Sequence, residues 1–392
     1  MKIKIIIILF ILSFIFFIKG ISLNIKANEI TVLEEITFDI KSKSALLLEP
    51  VTNTVIYQNN STEKLAPASM TKIMTLALVC DSLKEGDITT ETIFVTSKYA
   101  ASMGGSQIYL KENEEMSVID LIKSVAIASA NDAAVVLAEG ICGSVDLFVK
   151  KMNEKGKELG FINTEFKNPN GLPEEGHYSC AYDMGLVASY LINNYADFIL
   201  KYTSMYESYV RENLENKFWL VNTNKLIRID GIDGLKTGMT DEAGYCLTCT
   251  MKKNNIRMIS VVMGAESIDD RKDDTLTLLN YGVNNYRLEK LYNKGDIIKT
   301  IDNVIYSPKK FDVLVSEDVY ILKNTKEKYN IEIEENINYF HDSYADSAGN
   351  IRIICNGVEI NNVNLILKQK VNKANILNLF FEVLKEIFLG FN

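Results

Sequence analysis

The stretch LAPASMTKIMTLAL, from Leu65 to Leu78, places a serine one helical turn before a lysine. Pro67 is typical of the first turn of a helix, so we expect Ser69 at or near a helix N-terminus. Residues three apart in a helix are neighbours, which brings Lys72 beside Ser69. The helix dipole and burial both lower the pKa of a lysine, and a neutral lysine can take a proton from a serine hydroxyl. The stretch therefore predicts a nucleophile with its own base.

Two further motifs occur later in the chain in residue types that suit the same chemistry. Ser129-Ala130-Asn131 offers a hydroxyl that can relay a proton and an amide that can position a substrate amide, although an ordinary helix cap is the alternative. Lys236-Thr237-Gly238 offers a cation and a hydroxyl for a carboxylate. Gly238 has no side chain, which lets a ligand approach the strand closely. Each motif alone is weak evidence for a site.

The composition of the whole chain limits the fold and the partners. Its 392 residues are enough for two globular domains, and the hydrophobic content of 47% predicts a folded protein. The formal net charge is −9, which argues against nucleic acid as a partner, because phosphate binding requires a basic surface.

The N-terminus has the pattern of an export signal. Lys2 and Lys4 precede an apolar run over residues 5–18 that only Ser13 interrupts. This run is too short for a comfortable membrane span and has the length of a signal-peptide core. We therefore predict a signal peptide over residues 1–27, with cleavage near Ala27 and an uncleaved anchor as the alternative. Either interpretation predicts a protein that acts outside the cytoplasmic membrane.

The cysteines and histidines favour neither a disulfide framework nor a zinc site. The chain is large enough to fold without disulfides, although an exported protein can form them. Cys246 and Cys249 lie three apart in a predicted strand, so they face opposite sides and do not suit one metal ion. His177 and His341 are the two histidines. We expect the six cysteines to be free thiols in apolar surroundings: Cys80, Cys142, Cys180, Cys246, Cys249 and Cys355.

The order of predicted elements favours an α+β fold. A hairpin around Asn53 comes first, and several helices follow, one of them opened by Asn131 and Asp132 as caps. GYCLTCTM and IRMISVVMGA then read as adjacent buried strands joined by a turn, before a last helix ends near Tyr286. This order predicts an antiparallel sheet packed with helices over residues 28–286. The short, turn-separated strands that follow predict an all-β domain over residues 287–370.

Residues 371–392 predict an amphipathic helix. Its polar residues lie on one narrow stripe, and apolar residues cover the rest of the surface: the stripe is Asn375, Asn378, Glu382, Lys385 and Glu386. Such a face is too apolar for a solvated tail. We predict that it lies in a membrane interface, with packing on the protein or on another subunit as the alternative.

Taken together, the three motifs resemble the S-x-x-K, S-x-N and K-T-G set of penicillin-binding proteins and class A β-lactamases. Nearly the whole chain is similar to the serine D-alanyl-D-alanine carboxypeptidases, the low-molecular-mass penicillin-binding proteins of bacteria. Further resemblance lies in NPNGLPEEGHYSCAYDMGLVA and in LKTGMTDEAGYCLTCTMKKNN. The resemblance implies a β-lactamase/transpeptidase-like catalytic domain, followed by a small all-β domain and a C-terminal amphipathic anchor. Ala130 stands where many of these enzymes have Gly, which is a mild variation.

The resemblance also implies the mechanism and a role for each motif residue. The family removes the terminal D-alanine of peptidoglycan stem peptides through an acyl-enzyme, and β-lactams inhibit it by acylating the same serine. Neither a metal nor an organic cofactor is needed. The implied roles are Ser69 as nucleophile, Lys72 as base, Ser129 as proton relay, Asn131 for the substrate backbone, Lys236 and Thr237 for the terminal carboxylate, Gly238 for close approach of the substrate, and the N–H groups of Ser69 and Met239 as the oxyanion hole. The implied location is the outer face of the cytoplasmic membrane, at the cell wall.

Alternative functions remain open from the sequence. A class A-like β-lactamase needs a glutamate to activate the deacylating water, but the pattern that begins at Glu165 has Pro169 where asparagine is required. A catalytically silent wall scaffold is a second alternative, and endopeptidase or transpeptidase activity of the same residues is a third. His177 is expected to pack a loop, with a Ser–His pair as the alternative.

Overall fold

A computed structural model of the protein describes residues 37–212, 215, 217–337 and 348–389. The predicted signal peptide and His341 lie outside the described residues. A 3-10 turn spans Ala68–Thr71, and the helices are α1 (Lys72–Glu85), α2 (Lys98–Ala101), α3 (Val118–Ala128), α4 (Asn131–Cys142), α5 (Val145–Glu158), α6 (Ala181–Thr203), α7 (Ile268–Asn285) and α8 (Ile376–Leu389).

The strands divide between an N-terminal and a C-terminal group. The first group is β1 (Ser44–Glu49), β2 (Thr54–Asn59), β3 (Ile93–Val95), β4 (Glu115–Ser117), β5 (Glu207–Val210), β6 (Phe218–Val221), β7 (Ile232–Thr240), β8 (Gly244–Lys253) and β9 (Ile256–Ala265). The second group is β10 (Tyr286–Tyr292), β11 (Ile297–Asp302), β12 (Tyr306–Ser307), β13 (Lys310–Val315), β14 (Val319–Asn324), β15 (Ile331–Ile337), β16 (Gly349–Cys355), β17 (Val358–Leu367) and β18 (Asn372–Lys373).

The N-terminal domain is built on a five-stranded antiparallel sheet in the order β2-β1-β9-β8-β7. Both predicted hairpins are present, and their turns contain Asn53 and the pair Asn254–Asn255 in the left-handed region, which asparagine tolerates. The helices lie between β1 and β9 in the chain, although the two strands are neighbours in the sheet. The sheet is therefore complete only when β9, the last strand of this domain, pairs with β1 of the first hairpin. The predicted α+β architecture is confirmed.

Each face of this sheet is buried under helices. Leu46 and Leu48 point into a core shared with α1, α3, α4 and α6, whereas Ala45 and Leu47 point into a second core that α7 covers. Strand side chains alternate between faces, which explains why this one strand serves both cores. Residues 72–82 of α1 are all buried, so this helix runs through the centre of the domain and can hold a polar group away from water.

The C-terminal domain is all-β, as predicted. β10 begins directly after α7, and a five-stranded sheet follows in the order β11-β13-β17-β16-β15. Its own core contains Phe311, Val313, Ile351, Ile353 and Leu365 among others. A separate core of this kind is what a chain of this length is expected to form.

The cysteines are free thiols in the folded protein. All six cysteines are free, five are buried and Cys142 is half-buried, which confirms the prediction of free thiols. Cys246 and Cys249 belong to the cores on opposite faces of the sheet.

α8 exposes large apolar side chains, among them Ile376, Phe380 and Phe388. Within the described part of the chain, the helices are too short or too polar to cross a bilayer.

Candidate active site

Ser69 and Lys72 lie side by side at the start of the central helix. Pro67 precedes a 3-10 turn that carries Ser69, and α1 begins at Lys72. Lys72 Nζ is 2.9 Å from Ser69 Oγ. The sequence predicted an α-helical turn here, and the tighter 3-10 turn keeps the same i, i+3 pairing because its side chains three apart eclipse one another.

Lys72 is completely buried, and its ammonium position is defined by three oxygen atoms. Besides Ser69 Oγ, Nζ contacts Asn131 Oδ1 at 2.7 Å and the carbonyl oxygen of Asn170. Burial lowers the pKa of Lys72 well below its usual range, the positive charge of Lys236 lowers it further, and Asp132 opposes the shift. A lysine in this setting can be neutral at the pH at which the enzyme works.

The second motif connects α3 and α4 beside Lys72. Ser129 ends α3 in the left-handed conformation with φ of 64°, and Ala130 is the N-cap of α4. The expected helix cap is only partly present: Ala130, not Asn131, is the N-cap, while Asp132 Oδ1 accepts from Ala133 N at 2.9 Å in the first turn of α4. Asn131 instead joins Lys72 Nζ to Gly104 O, and Asp132 accepts hydrogen bonds from Ile108 N and Leu110 N.

The segment 104–110 is consequently fastened to the second motif. Asn131 N donates to Ser106 O at 2.7 Å, in addition to the contacts of the Asn131 and Asp132 side chains. Gly105 has φ of +74°, and a Cβ there would be 2.9 Å from Asn131 Nδ2. The glycine at 105 is the sequence signal for this approach, but a single glycine could not be interpreted without the fold.

The third motif lies on the edge strand β7 of the sheet. Lys236 is buried and donates to Thr237 O at 3.0 Å, while Thr237 Oγ1 donates to Thr223 Oγ1 at 2.7 Å. Burial, with the nearby charge of Arg271, lowers the pKa of Lys236 to about 7. Met239, the next residue after the motif, is 55% exposed.

Gly238 is where β7 meets the turn that carries the nucleophile. A Cβ at Gly238 would be 2.8 Å from Pro67 O and 3.2 Å from Ala68 Cβ. The absence of a side chain therefore lets β7 pack directly against Ser69's own turn. The sequence predicts that Gly238 permits close approach of a substrate, and the structure adds this contact inside the protein.

Two contributors to the site were missed from the sequence. Asn170 lies in the predicted loop NPNG, but nothing in the sequence showed that its backbone carbonyl contacts Lys72. Arg271 is in the first turn of α7; its Nε is buried without a hydrogen-bond partner among the described residues, and its charge lowers the pKa of Lys236. A lone arginine in an amphipathic helix carries no sequence signal that separates it from a surface residue.

The remaining candidates lie away from the nucleophile. His177 Nε2 contacts Thr71 Oγ1 at 2.9 Å and its Nδ1 accepts from Lys167 N, so the ring packs the loop as predicted and does not pair with Ser69. The carboxylate of Glu165 pairs with Lys167 at 3.3 Å and is 43% exposed. This position does not provide the buried glutamate of a class A β-lactamase.

Comparisons with known proteins agree with this geometry. The family described as D-alanyl-D-alanine carboxypeptidase, peptidase S11, matches residues 29–267, and the penicillin-binding protein 5 C-terminal domain matches residues 286–373. D-alanyl-D-alanine carboxypeptidase DacF of Bacillus subtilis is 47% identical over 303 residues, which are 76% of this chain and 77% of that protein.

Solved structures share the fold at lower identity. Penicillin-binding protein 5 of Haemophilus influenzae is 26% identical, with a TM-score of 0.74 over 87% of this chain and all of that one. Penicillin-binding protein D2 of Listeria monocytogenes, in its ampicillin-bound form, is 29% identical with a TM-score of 0.56 over 63% of this chain and 98% of that one. The chain therefore belongs to the peptidase S11 family and is a serine D-alanyl-D-alanine carboxypeptidase.

Proposed function

We propose that the enzyme removes the terminal D-alanine of a peptidoglycan pentapeptide through an acyl-enzyme on Ser69. The observation that carries this assignment is the pairing of Ser69 Oγ with a completely buried lysine amine at 2.9 Å. A serine hydroxyl does not ionise at neutral pH without a base, and Lys72 is the group within reach.

The contacts of Lys72 also orient its lone pair. A neutral amine has two N–H bonds and one lone pair. Asn131 Oδ1 and Asn170 O can accept hydrogen bonds from the two N–H groups. The lone pair of the amine is then directed at Ser69 Oγ. General bases placed in this way contribute about 10²–10⁴-fold to the rate.

We assign the steps of acylation to the motif residues as follows. Ser69 Oγ attacks the carbonyl carbon of the penultimate D-alanine as Lys72 takes the hydroxyl proton. Ser129 passes a proton from Lys72 to the nitrogen of the leaving D-alanine, and the C–N bond breaks. The N–H groups of Ser69 and Met239 hold the oxyanion, and such donors contribute roughly 3–4 kcal/mol each. Water later releases the acyl group and restores Ser69.

The substrate carboxylate belongs beside the third motif in this proposal. Lys236 and Thr237 bind it, and Arg271 adds a second positive charge close to Lys236. Asn131 holds the substrate backbone, and Gly238 lets the peptide lie along β7. A substrate without a free C-terminal carboxylate loses these contacts.

D-alanine release from a soluble pentapeptide tests the assignment. Wild type should release D-alanine and gain the mass of penicillin on Ser69, and Ser69→Ala should do neither. If the wild type releases no D-alanine, the silent-scaffold alternative is correct. Rapid hydrolysis of penicillin would instead favour a β-lactamase, and products from cross-linked muropeptides would report endopeptidase or transpeptidase activity.

The domain boundaries and the location of the enzyme are part of the proposal. We assign residues 28–286 to catalysis, 287–370 to the all-β domain and 371–392 to a helix on the membrane surface. The exposed apolar side chains of α8, 85% exposed at Ile376 and 72% at Phe388, support the last assignment. Together with the predicted signal peptide, they favour an exported enzyme at the outer face of the cytoplasmic membrane.

A further inference from the structure

His177 is a buried imidazole that joins the loop 167–172 to the turn of the nucleophile. Its Nδ1 accepts a hydrogen bond from Lys167 N at 3.0 Å, so the proton of the neutral ring is on Nε2. Nε2 then donates to Thr71 Oγ1 at 2.9 Å. Both ring nitrogens are therefore used, and neither is available as a base for Ser69.

The ring keeps this tautomer across the working pH range. Burial lowers the pKa of His177 to about 4, and the charges of Lys167 and Lys72 lower it as well. The ring also packs against Phe166, with centroids 5.9 Å apart. Because this tautomer keeps both hydrogen bonds, the rigid ring sets the separation between Lys167 N and Thr71 Oγ1.

The loop that begins at Lys167 delivers the carbonyl of Asn170 to Lys72. Gly171 is pressed onto the turn: with φ of +81°, its Cβ would be 1.9 Å from Ala68 O and 2.9 Å from Thr71 Oγ1. Thr75 Oγ1 donates to Pro169 O at 2.6 Å. The loop thus contacts the turn and α1 at successive points. At its first residue, Lys167, the contact is made through the imidazole of His177.

We propose that His177 is a positioning residue for the acylation step: its imidazole holds the loop so that Asn170 O accepts a hydrogen bond from Lys72 Nζ. The inference rests on Lys72 being the base in the proposed function. Without the ring, the loop relaxes away from Thr71, and one N–H of Lys72 loses its acceptor. The lone pair of the amine is then no longer confined to the direction of Ser69 Oγ.

The consequence for pH dependence has a definite sign. A carbonyl oxygen that accepts from Lys72 favours the ammonium form, so losing it lowers the pKa of Lys72. The charged groups that act on Lys72, namely Lys236 on β7 and Asp132 on α4, stay in place. The acid limb of acylation, below which Lys72 is protonated, should therefore move to lower pH while the plateau rate falls.

The test is the pH profile of Ser69 acylation by a fluorescent penicillin in the full-length enzyme. For His177→Phe we expect a plateau about tenfold lower, as for the loss of one hydrogen bond to a charged group, and an acid limb at lower pH. Thr71→Val should behave alike, because it removes the acceptor of the same link. His177→Gln, which keeps a donor near the position of Nε2, should recover part of the plateau.

Thr164→Val is the matched control. It removes partly buried hydrogen bonds to Asp183 and Ser179 next to the same loop, but it does not reach α1. It should lower stability and leave the acid limb in place. The inference is overturned if His177→Phe, or Thr71→Val where the former does not fold, behaves like this control. A wild type that is not acylated at all would instead overturn the proposed function.

Discussion

Lys72 and Lys236 are two completely buried lysines of one site, and the charge of Lys236 lowers the pKa of Lys72. Removing that charge with Lys236→Met should raise the pKa of Lys72, although burial still keeps it low, and the acid limb of acylation should move to higher pH. An uncharged penicillin ester is the appropriate reagent, because it makes no use of the carboxylate subsite. Lys167→Met, a change of a half-exposed lysine outside the site, should leave the limb where it is in wild type.

The pKa of about 7 for Lys236 predicts a second pH effect, at the alkaline limb. Lys236 must be charged to attract a carboxylate, so kcat/KM for a pentapeptide should fall as the pH rises above about 7. Once a carboxylate is bound, it stabilises the ammonium form, so kcat should fall less steeply. A substrate whose C-terminus is amidated should show no such fall. Equal profiles for the two substrates would exclude Lys236 from carboxylate binding.

The close packing at Gly238 predicts a loss of activity from a single methyl group. In Gly238→Ala the new Cβ would press on Pro67 O, and the turn of Ser69 must shift. Misplacing a reacting group by about 1 Å costs about 100-fold in rate, and we expect acylation to fall by that order. Gly143→Ala, whose Cβ meets nothing within 4 Å, should cost stability through its φ of +78° and leave acylation intact. Penicillin labelling and thermal unfolding measure the two effects.

His177 predicts that the fold is sensitive to acid. The pKa of its ring is about 4 in the folded enzyme and 6.5 in the unfolded chain, so the unfolded state binds more protons between these values. The free energy of unfolding should therefore fall by about 3 kcal/mol as the pH drops from 6.5 to 4. The difference between wild type and His177→Gln in denaturant titrations isolates this contribution from that of the carboxylates. Parallel curves for the two proteins would contradict it.

The apolar surface of α8 predicts binding to membranes. A protein that ends at Lys373 lacks this helix and should move from the membrane fraction to the soluble fraction, provided that the signal peptide is cleaved. Vesicles of anionic lipid should retain the full-length protein and release the truncated one. D-alanine release from a soluble pentapeptide should be equal in both, since the helix contributes nothing to the site.

The sequence predicted the motif residues of the site better than the groups that hold those residues in place. Ser69, Lys72 and Lys236 could be singled out because residue type and spacing mark them, and the spacing of Cys246 and Cys249 predicted that they lie on opposite faces of the sheet. The carbonyl of Asn170 could not be found, since every residue has a carbonyl and only the folded loop directs this one. Asp132 does accept from Ala133 N in the first turn of α4, but a local rule cannot show that Ile108 N and Leu110 N donate to the same carboxylate.

The distribution of the site over distant parts of the chain makes folding the activating event. Ser69, Asn131, Asn170 and Lys236 come from different elements, and Lys236 lies on a strand that follows all of the helices around Lys72 in the chain. In an extended chain Lys72 is solvated and carries its proton, so Ser69 is an ordinary alcohol. A chain that has not yet folded is thus inert towards both wall peptides and penicillin. Its own topology delays reactivity until the sheet has closed.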